Sequence, residues 1–107
     1  MKKQIIKLNP ELIDQVENNG KRATTRLGLK TRYHLGPVLF QNSEAPLDIL
    51  DNNFEIQKIE AISYCDLSEE LAHQEGYKNG IQFRKALREI YGPIDDYATC
   101  TVIHFDR

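Results

Sequence analysis

The sequence predicts an α+β fold, a small and mostly antiparallel β-barrel with helices at its periphery. Three observations predict it. The 107 residues make a 12.4 kDa chain, the size of one domain spanning 1–107, since two domains would each be too small for a good core. The β-prone segments are joined mainly by turns and are not separated by regular helices, which argues against a parallel βαβ sheet. One segment, Phe83 to Tyr91, carries a clear helical period.

The elements follow in order. Ile5, Ile6 and Leu8 mark a short strand over Lys3–Leu8. Asn9-Pro10-Glu11 starts a helix, with Asn as N-cap, Pro at the first helical position and an acid in the first turn. Leu12, Ile13 and Val16 supply its buried stripe, and Asn18-Asn19-Gly20 ends it. Ala23-Thr24-Thr25-Arg26 is β-prone, Gly28 and Gly36 mark turns or bulges, and Val38-Leu39-Phe40 is a strand opened by Gly36-Pro37. Residues 42–53 read as a loop with a short turn at Leu47–Leu50. Phe54 to Ile62 is a longer strand whose period slips at Lys58, as a bulge there would cause. Ser68 caps a short helix to about Glu75, and Gly76 stops it. In the next helix Phe83, Ala86, Leu87, Ile90 and Tyr91 form the apolar stripe, and Gly92-Pro93 ends it. Tyr97 to Phe105 is a strand, with Tyr97, Thr99, Thr101, Ile103 and Phe105 on one face and Ala98, Cys100, Val102 and His104 on the other.

Composition excludes several classes. With 40% hydrophobic and 28% charged residues the chain is not disordered. No apolar run approaches the roughly 20 residues of a membrane span. Met1-Lys2-Lys3-Gln4-Ile5-Ile6-Lys7 has a charged start but no apolar region behind it, so no secretory signal is expected. Cys65 and Cys100, with 34 residues between them, exclude a CxxC motif and read as small core residues of a reduced, cytoplasmic protein. His34, His73 and His104 form no ligand spacing, so neither metal nor cofactor is expected.

The net charge of −2 hides an asymmetry. Residues 1–36 carry net +5, residues 37–75 net −8 and residues 76–107 net +1. Lys21, Arg22, Arg26, Lys30 and Arg32 fall in a stretch without acids, between Glu17 and Glu44. Such a stretch faces an anion, or is a solvated face balanced in space by the acidic middle.

Two segments carry candidate chemistry. In Lys21-Arg22-Ala23-Thr24-Thr25-Arg26, Thr24 and Arg26 share a strand face, and Lys21 can join them only from the turn at Gly20. A Lys, a Thr hydroxyl and an Arg together would bind an anion or transfer an acyl group. The bland alternative is a polar turn leading into an edge strand. In Leu71-Ala72-His73-Gln74-Glu75-Gly76-Tyr77, Glu75 follows Leu71 by one helical turn and so points inward or at a cleft. A carboxylate at the negative end of a helix is locally unfavourable by ~0.3–1 kcal/mol, and such breaches concentrate at functional sites. The alternative is a frayed last turn with Glu75 in water. Tyr33, Tyr64, Tyr77 and Tyr97 could stack a base, although core packing is the default for each.

At these segments the chain resembles the ASCH family, a branch of the PUA-like fold. Lys21-Arg22-Ala23-Thr24-Thr25-Arg26 is similar to the family's Lys-x-x-Thr-x-Arg motif after a Gly, and Leu71 to Tyr77 to its second region. Phe83, Tyr91 and Val102-Ile103-His104-Phe105 continue the likeness in order. Three departures occur: Gly20 directly precedes Lys21, Thr25 replaces an apolar residue, and Pro37 follows Gly36.

The small acetylcytidine amidohydrolases of that family are the nearest in size. The resemblance implies removal of an acetyl group from the exocyclic amine of a modified nucleoside, without metal or cofactor. It assigns catalysis to Lys21, Thr24 and Glu75. Arg26, Arg22 and Tyr77 are the expected substrate-binding residues. In the implied mechanism Lys21 takes the Thr24 proton, Thr24 attacks the carbonyl, and Glu75 protonates the leaving amine. An oxyanion donor, Arg26 or a backbone N–H, is typically worth ~3–4 kcal/mol. In a variant, Glu75 activates water. The rival expectations are a non-catalytic RNA-binding module and a ribonuclease.

Overall fold

The computed structural model describes residues 3–107, so Met1 and Lys2 of the N-terminal stretch lie outside the described residues. The chain runs β1 (Gln4–Leu8), α1 (Pro10–Asn18), β2 (Ala23–Leu27), β3 (Gly36–Asn42), β4 (Ala45–Leu50), β5 (Glu55–Ser63), a 3-10 turn (Tyr64–Asp66), α2 (Glu69–Gln74), α3 (Gly80–Tyr91) and β6 (Thr99–Asp106). The caps form as their residue types dictate. The side chains of Asn9, Ser68 and Asn79 accept from the backbone N–H of Leu12, Leu71 and Gln82 and so start the three helices.

The six strands form one sheet in the order β1-β3-β5-β6-β2, with β4 added to β3. The β1–β3 pair is parallel and the other pairs are antiparallel. The register between β5 and β6 shifts between Ile56 and Lys58, where the hydrophobic period slips in sequence. The expected barrel is left open, because β1 and β2, the ends of the strand path, share no ladder. Arg26 reaches across that gap, its Nη2 donating to the Lys7 carbonyl at 2.8 Å.

Each sheet face carries its own core. Ile6, Val38, Phe40, Phe54, Ile103 and Phe105 pack on one side with Val16 of α1. Phe40 touches both Phe54 and Phe105, at centroid distances of 5.4 and 4.7 Å. Ala23, Cys100 and Val102 pack on the other with Leu71 and Ala72 of α2 and Phe83 and Leu87 of α3. β6 feeds both, alternating Ile103 and Phe105 with Cys100 and Val102.

Four expectations are corrected. Residues 45–50 form β4 rather than a loop, but the strand is exposed through most of its length and so lacks apolar alternation. Ile90 and Tyr91 are exposed, because the core under α3 ends at Leu87. Cys65 is exposed in the 3-10 turn, whereas Cys100 is buried and its thiol is pushed up by desolvation. Tyr97 is exposed and precedes β6 rather than lying within it. No helix among the described residues is long and apolar enough to cross a membrane.

Candidate functional site

The site forms where the start of β2 meets the end of α2. Gly20 adopts φ 75°, a left-handed turn that glycine enters without a Cβ penalty, and redirects the chain from α1 into β2. Backbone bonds then fix the entry: Lys21 N–H donates to Gln15 O at 3.1 Å and Arg22 N–H to Gln74 O at 2.9 Å. The second bond ties β2 directly to α2.

The end of α2 is equally well defined. Glu75 N–H donates to Leu71 O, Gly76 N–H to His73 O and Tyr77 N–H to Ala72 O, and Gly76 takes φ 93°. This is a Schellman closure, and it leaves Glu75 as the last residue before the turn. With Leu71 buried one turn earlier on the same face, the Glu75 side chain is carried inward and is only 4% exposed.

Lys21 meets it there. Its Nζ donates to Glu75 Oε1 at 2.6 Å and to the Glu75 carbonyl at 3.3 Å. The ammonium neutralises the carboxylate and also caps the negative end of α2, which removes the local conflict foreseen at this position. Lys21 is 2% exposed, and a charge that deeply placed persists only when it is paired. Thr25 completes the cluster by donating its hydroxyl to Glu75 Oε2. The carboxylate therefore holds an ammonium on one oxygen and an alcohol on the other.

Of the residues singled out in sequence, Lys21 and Glu75 come together and Thr24 does not join them. Thr24 pairs with Ile103 and lies on the face of the first core, whereas Thr25 pairs with Val102 on the face of α2. The signal was strand parity: Lys21 and Thr25 are an even number of residues apart, and both precede or enter the same strand. Arg26 shares the Thr24 face; its Nη2 donates to Lys7 O, and its buried Nε has no partner among the described residues.

Arg22 is also turned away. Its guanidinium donates to Val16 O and Lys21 O, pairs with Asp106 at 3.3 Å and lies 5.2 Å from the Phe54 ring centroid. Arg32 is engaged by the Tyr33 hydroxyl and ring. Of the basic stretch, Lys21, Arg22 and Arg26 are thus engaged within the fold, while Lys30 and Arg32 are exposed. Tyr77 remains beside the site, half-buried and stacked on Phe83 at 5.4 Å. Burial, then the negative charges of Glu75, Glu11 and Glu89, push its phenol up, so it stays a neutral donor. Tyr33 and Tyr64 belong to the cores.

A cavity of about 490 Å³ lies on the same sheet face, walled by Lys58, Glu60 and Ile62 of β5, His104 of β6 and Leu71 and Gln74 of α2. Sequence reading did not single out Glu60 or His104 as a pair. They meet at 2.6 Å because β5 and β6 are neighbours, and Lys58 holds the other Glu60 oxygen at 3.0 Å. No group of three or more His, Cys, Asp or Glu able to hold a metal occurs among the described residues.

The sequence matches no family model and no curated protein. Its structure is similar to the crystal structure of an ASCH domain from Lactobacillus crispatus JV V101, with a TM-score of 0.75 over 96% of this chain and 79% of that one, at 18% identity. The chain thus has the ASCH-type, PUA-like α+β fold.

Proposed function

We propose that this ASCH-type chain, working as one domain, is an amidohydrolase that removes the acetyl group from the exocyclic amine of acetylcytidine or a similar modified nucleoside. The observation that carries the reading is the buried hydrogen-bonded cluster of Lys21, Glu75 and Thr25. Its donor pattern pairs a charged ammonium with a carboxylate that accepts from an alcohol.

That pattern revises the roles expected from sequence. Glu75, and not Lys21, is the base that accepts the Thr25 proton, because the Lys21 ammonium is already a donor. Thr25 Oγ1 attacks the acetyl carbonyl and forms a C–O bond. The oxyanion is stabilised by the Lys21 ammonium, which uses two of its three N–H groups on Glu75. Glu75 returns the proton to the nitrogen as the C–N bond breaks, releasing cytidine and leaving acetyl-Thr25. Water, deprotonated by Glu75, then attacks the ester carbonyl; the C–O bond to Thr25 breaks, Glu75 returns the proton to Thr25 Oγ1, and the acetic acid formed leaves and ionises in solution. Tyr77, two residues after Glu75, is retained as a neutral donor for the substrate. No step calls for a metal or cofactor.

An RNA-binding role draws less support, since Lys21, Arg22 and Arg26 are held by internal partners, which leaves Lys30 and Arg32 as the exposed cations of the basic stretch. We place the protein in the cytoplasm, where its two free thiols stay reduced. The test is incubation with acetylcytidine beside Lys21→Ala and Glu75→Gln controls, following release of cytidine. Turnover lost in both controls supports the reading. Turnover retained in either overturns the assigned roles.

A further inference from the structure

The two faces of the sheet are covered unequally. The inner face holds the first core. On the outer face α2 and α3 cover β2, β6 and the end of β5, through Ala23, Cys100, Val102 and Ile62. Over β1, β3 and β4 this second core does not continue. Ile6, Val38 and Phe40 point inward and are fully buried, so strand alternation turns Ile5 and Leu39 outward. Ile5 stands opposite Leu39, and Ile49 of β4 stands opposite Gln41, two residues along from Leu39. Ile49 precedes Leu50, which packs on the first core, so it too faces out. Ile5, Leu39 and Ile49 thus form one apolar patch across three strands, with Ile5 and Ile49 each 44% exposed. Scattered exposed aliphatics are ordinary, but a contiguous patch on an uncovered sheet face marks a contact surface.

The free edge of β4 is closed to further strands. β4 pairs only with β3. Asn42 stands opposite Ala45 and Gln41 opposite Ile49, so Pro46, Leu47 and Asp48 bulge out of the ladder. Gln41 Nε2 donates to the Pro46 carbonyl at 2.9 Å and Asn42 Nδ2 to Asp48 Oδ2 at 3.1 Å, which fixes the bulge. A proline and a bulge are the usual guards against edge-to-edge pairing. What remains for a partner is the face.

The charges flanking the patch have opposite sign on its two sides. The β1 side carries Lys3 and Lys7. The β4 side carries Glu44, in the turn from β3, and Asp51, just past the strand. Lys3 pairs with Asp51 at 2.8 Å. Lys7 and Glu44 are exposed and have no ion-pair partner among the described residues. Lys7 stands opposite Gln41, and Glu44 follows Asn42 by two residues, so both lie toward the same end of β3. When a second copy is turned by half a turn about an axis along β3 and faced to the first, β1 of each copy lies over β4 of the other. Lys7 then meets Glu44 of the second copy, and the Lys3–Asp51 pairs meet with opposite charges facing. We infer that this face is a contact between two copies of this chain, packed sheet on sheet about that two-fold axis. An isologous contact requires a patch that complements itself, and an apolar centre with base on one side and acid on the other does so. Packed sheets lie about 10 Å apart, a gap that lysine and glutamate side chains span together. A three-strand face about five residues long covers only roughly 240 Å² in plan, small against a standard interface, so the dimer is weak and reversible.

The experiment is sedimentation velocity on the full chain from about 5 to about 500 μM, at low salt and at about 0.5 M salt. Sedimentation should shift from monomer toward dimer as concentration rises, and less so at high salt. Ile49→Lys, at an exposed position, should remove the dimer over this range and leave the urea midpoint unchanged. Lys7→Glu and Glu44→Lys should each weaken the dimer about three- to tenfold, since the two-fold axis counts each pair twice. The double variant should restore the dimer, because it exchanges the charges across the same contact. A monomer at every concentration overturns the inference and leaves the face to a different chain. So does a dimer that survives Ile49→Lys, or a double variant that stays as weak as the singles.

Discussion

Lys21 Nζ and Glu75 Oε1 stand 2.6 Å apart, with side chains only 2% and 5% exposed. An ion pair this deep is held in place by mutual need. Removing one partner leaves the other charged and dry. Glu75→Ala should therefore destabilise the fold by about 3–5 kcal/mol in urea unfolding. The double variant Lys21→Met with Glu75→Leu should recover most of that loss while remaining inactive. Single-variant losses that simply add in the double would refute the coupling.

Thr25 and Thr24 give opposite expectations. Thr25→Ala removes the hydroxyl that donates to Glu75, and should lower acetylcytidine turnover by about 10²–10⁴-fold. Thr24→Ala, on the other face of β2, should leave the rate within about threefold. Steady-state kinetics of the two variants decide between the neighbours. Equal losses would return Thr24 to the site.

The aromatic cluster Phe40, Phe54 and Phe105 carries the first core. Phe40 is fully buried. Phe40→Ala should cost about 3–5 kcal/mol, from lost transfer energy and the cavity left behind. A midpoint in urea that does not move would show that the cluster is not packed in this way.

Acid should act in part through Glu60. Its folded carboxyl is held below the unfolded value by the side chains of Lys58 and His104. The stabilising contribution is thus complete above the unfolded carboxylate range, and it is lost as pH falls through the lowered folded value. Urea midpoints measured from neutral pH down to about pH 3 should fall less steeply in Glu60→Gln than in the wild type. Parallel acid limbs would count against the Lys58–Glu60–His104 network.

The two thiols should differ in reactivity. Cys65 is exposed, and Cys100 is buried with its thiol pushed up by desolvation. A thiol reagent should modify Cys65 in the native protein and Cys100 only after unfolding. Prompt modification of both would mean that β6 is accessible to solvent.

Local chemistry made much of this legible. Asn9 and Ser68 cap helices because their side chains mimic the missing turn, and the slipped period at Lys58 marks a true register shift. Glu75 was readable as inward because Leu71 fixes the helix face. What stayed hidden depends on contacts distant in sequence. β4 pairs through its backbone while its side chains face water, so no pattern announces it. The choice of Thr25 over Thr24 turns on which face of β2 meets α2, and only the packing of α2 decides that. Glu60 and His104 each read as an ordinary surface residue until β5 and β6 lie side by side.

The placement of β2 has a consequence for synthesis. In the sheet β2 has one strand neighbour, β6, which follows every other described strand and helix in the chain. A nascent chain that has already made Lys21, Thr25 and Glu75 still has no strand on which to hang the first two. Settling β2 into the sheet must wait for β6, a contact spanning most of the chain, which is a slow kind of closure. The Lys21–Glu75 pair thus rests on a strand pairing that spans most of the described residues.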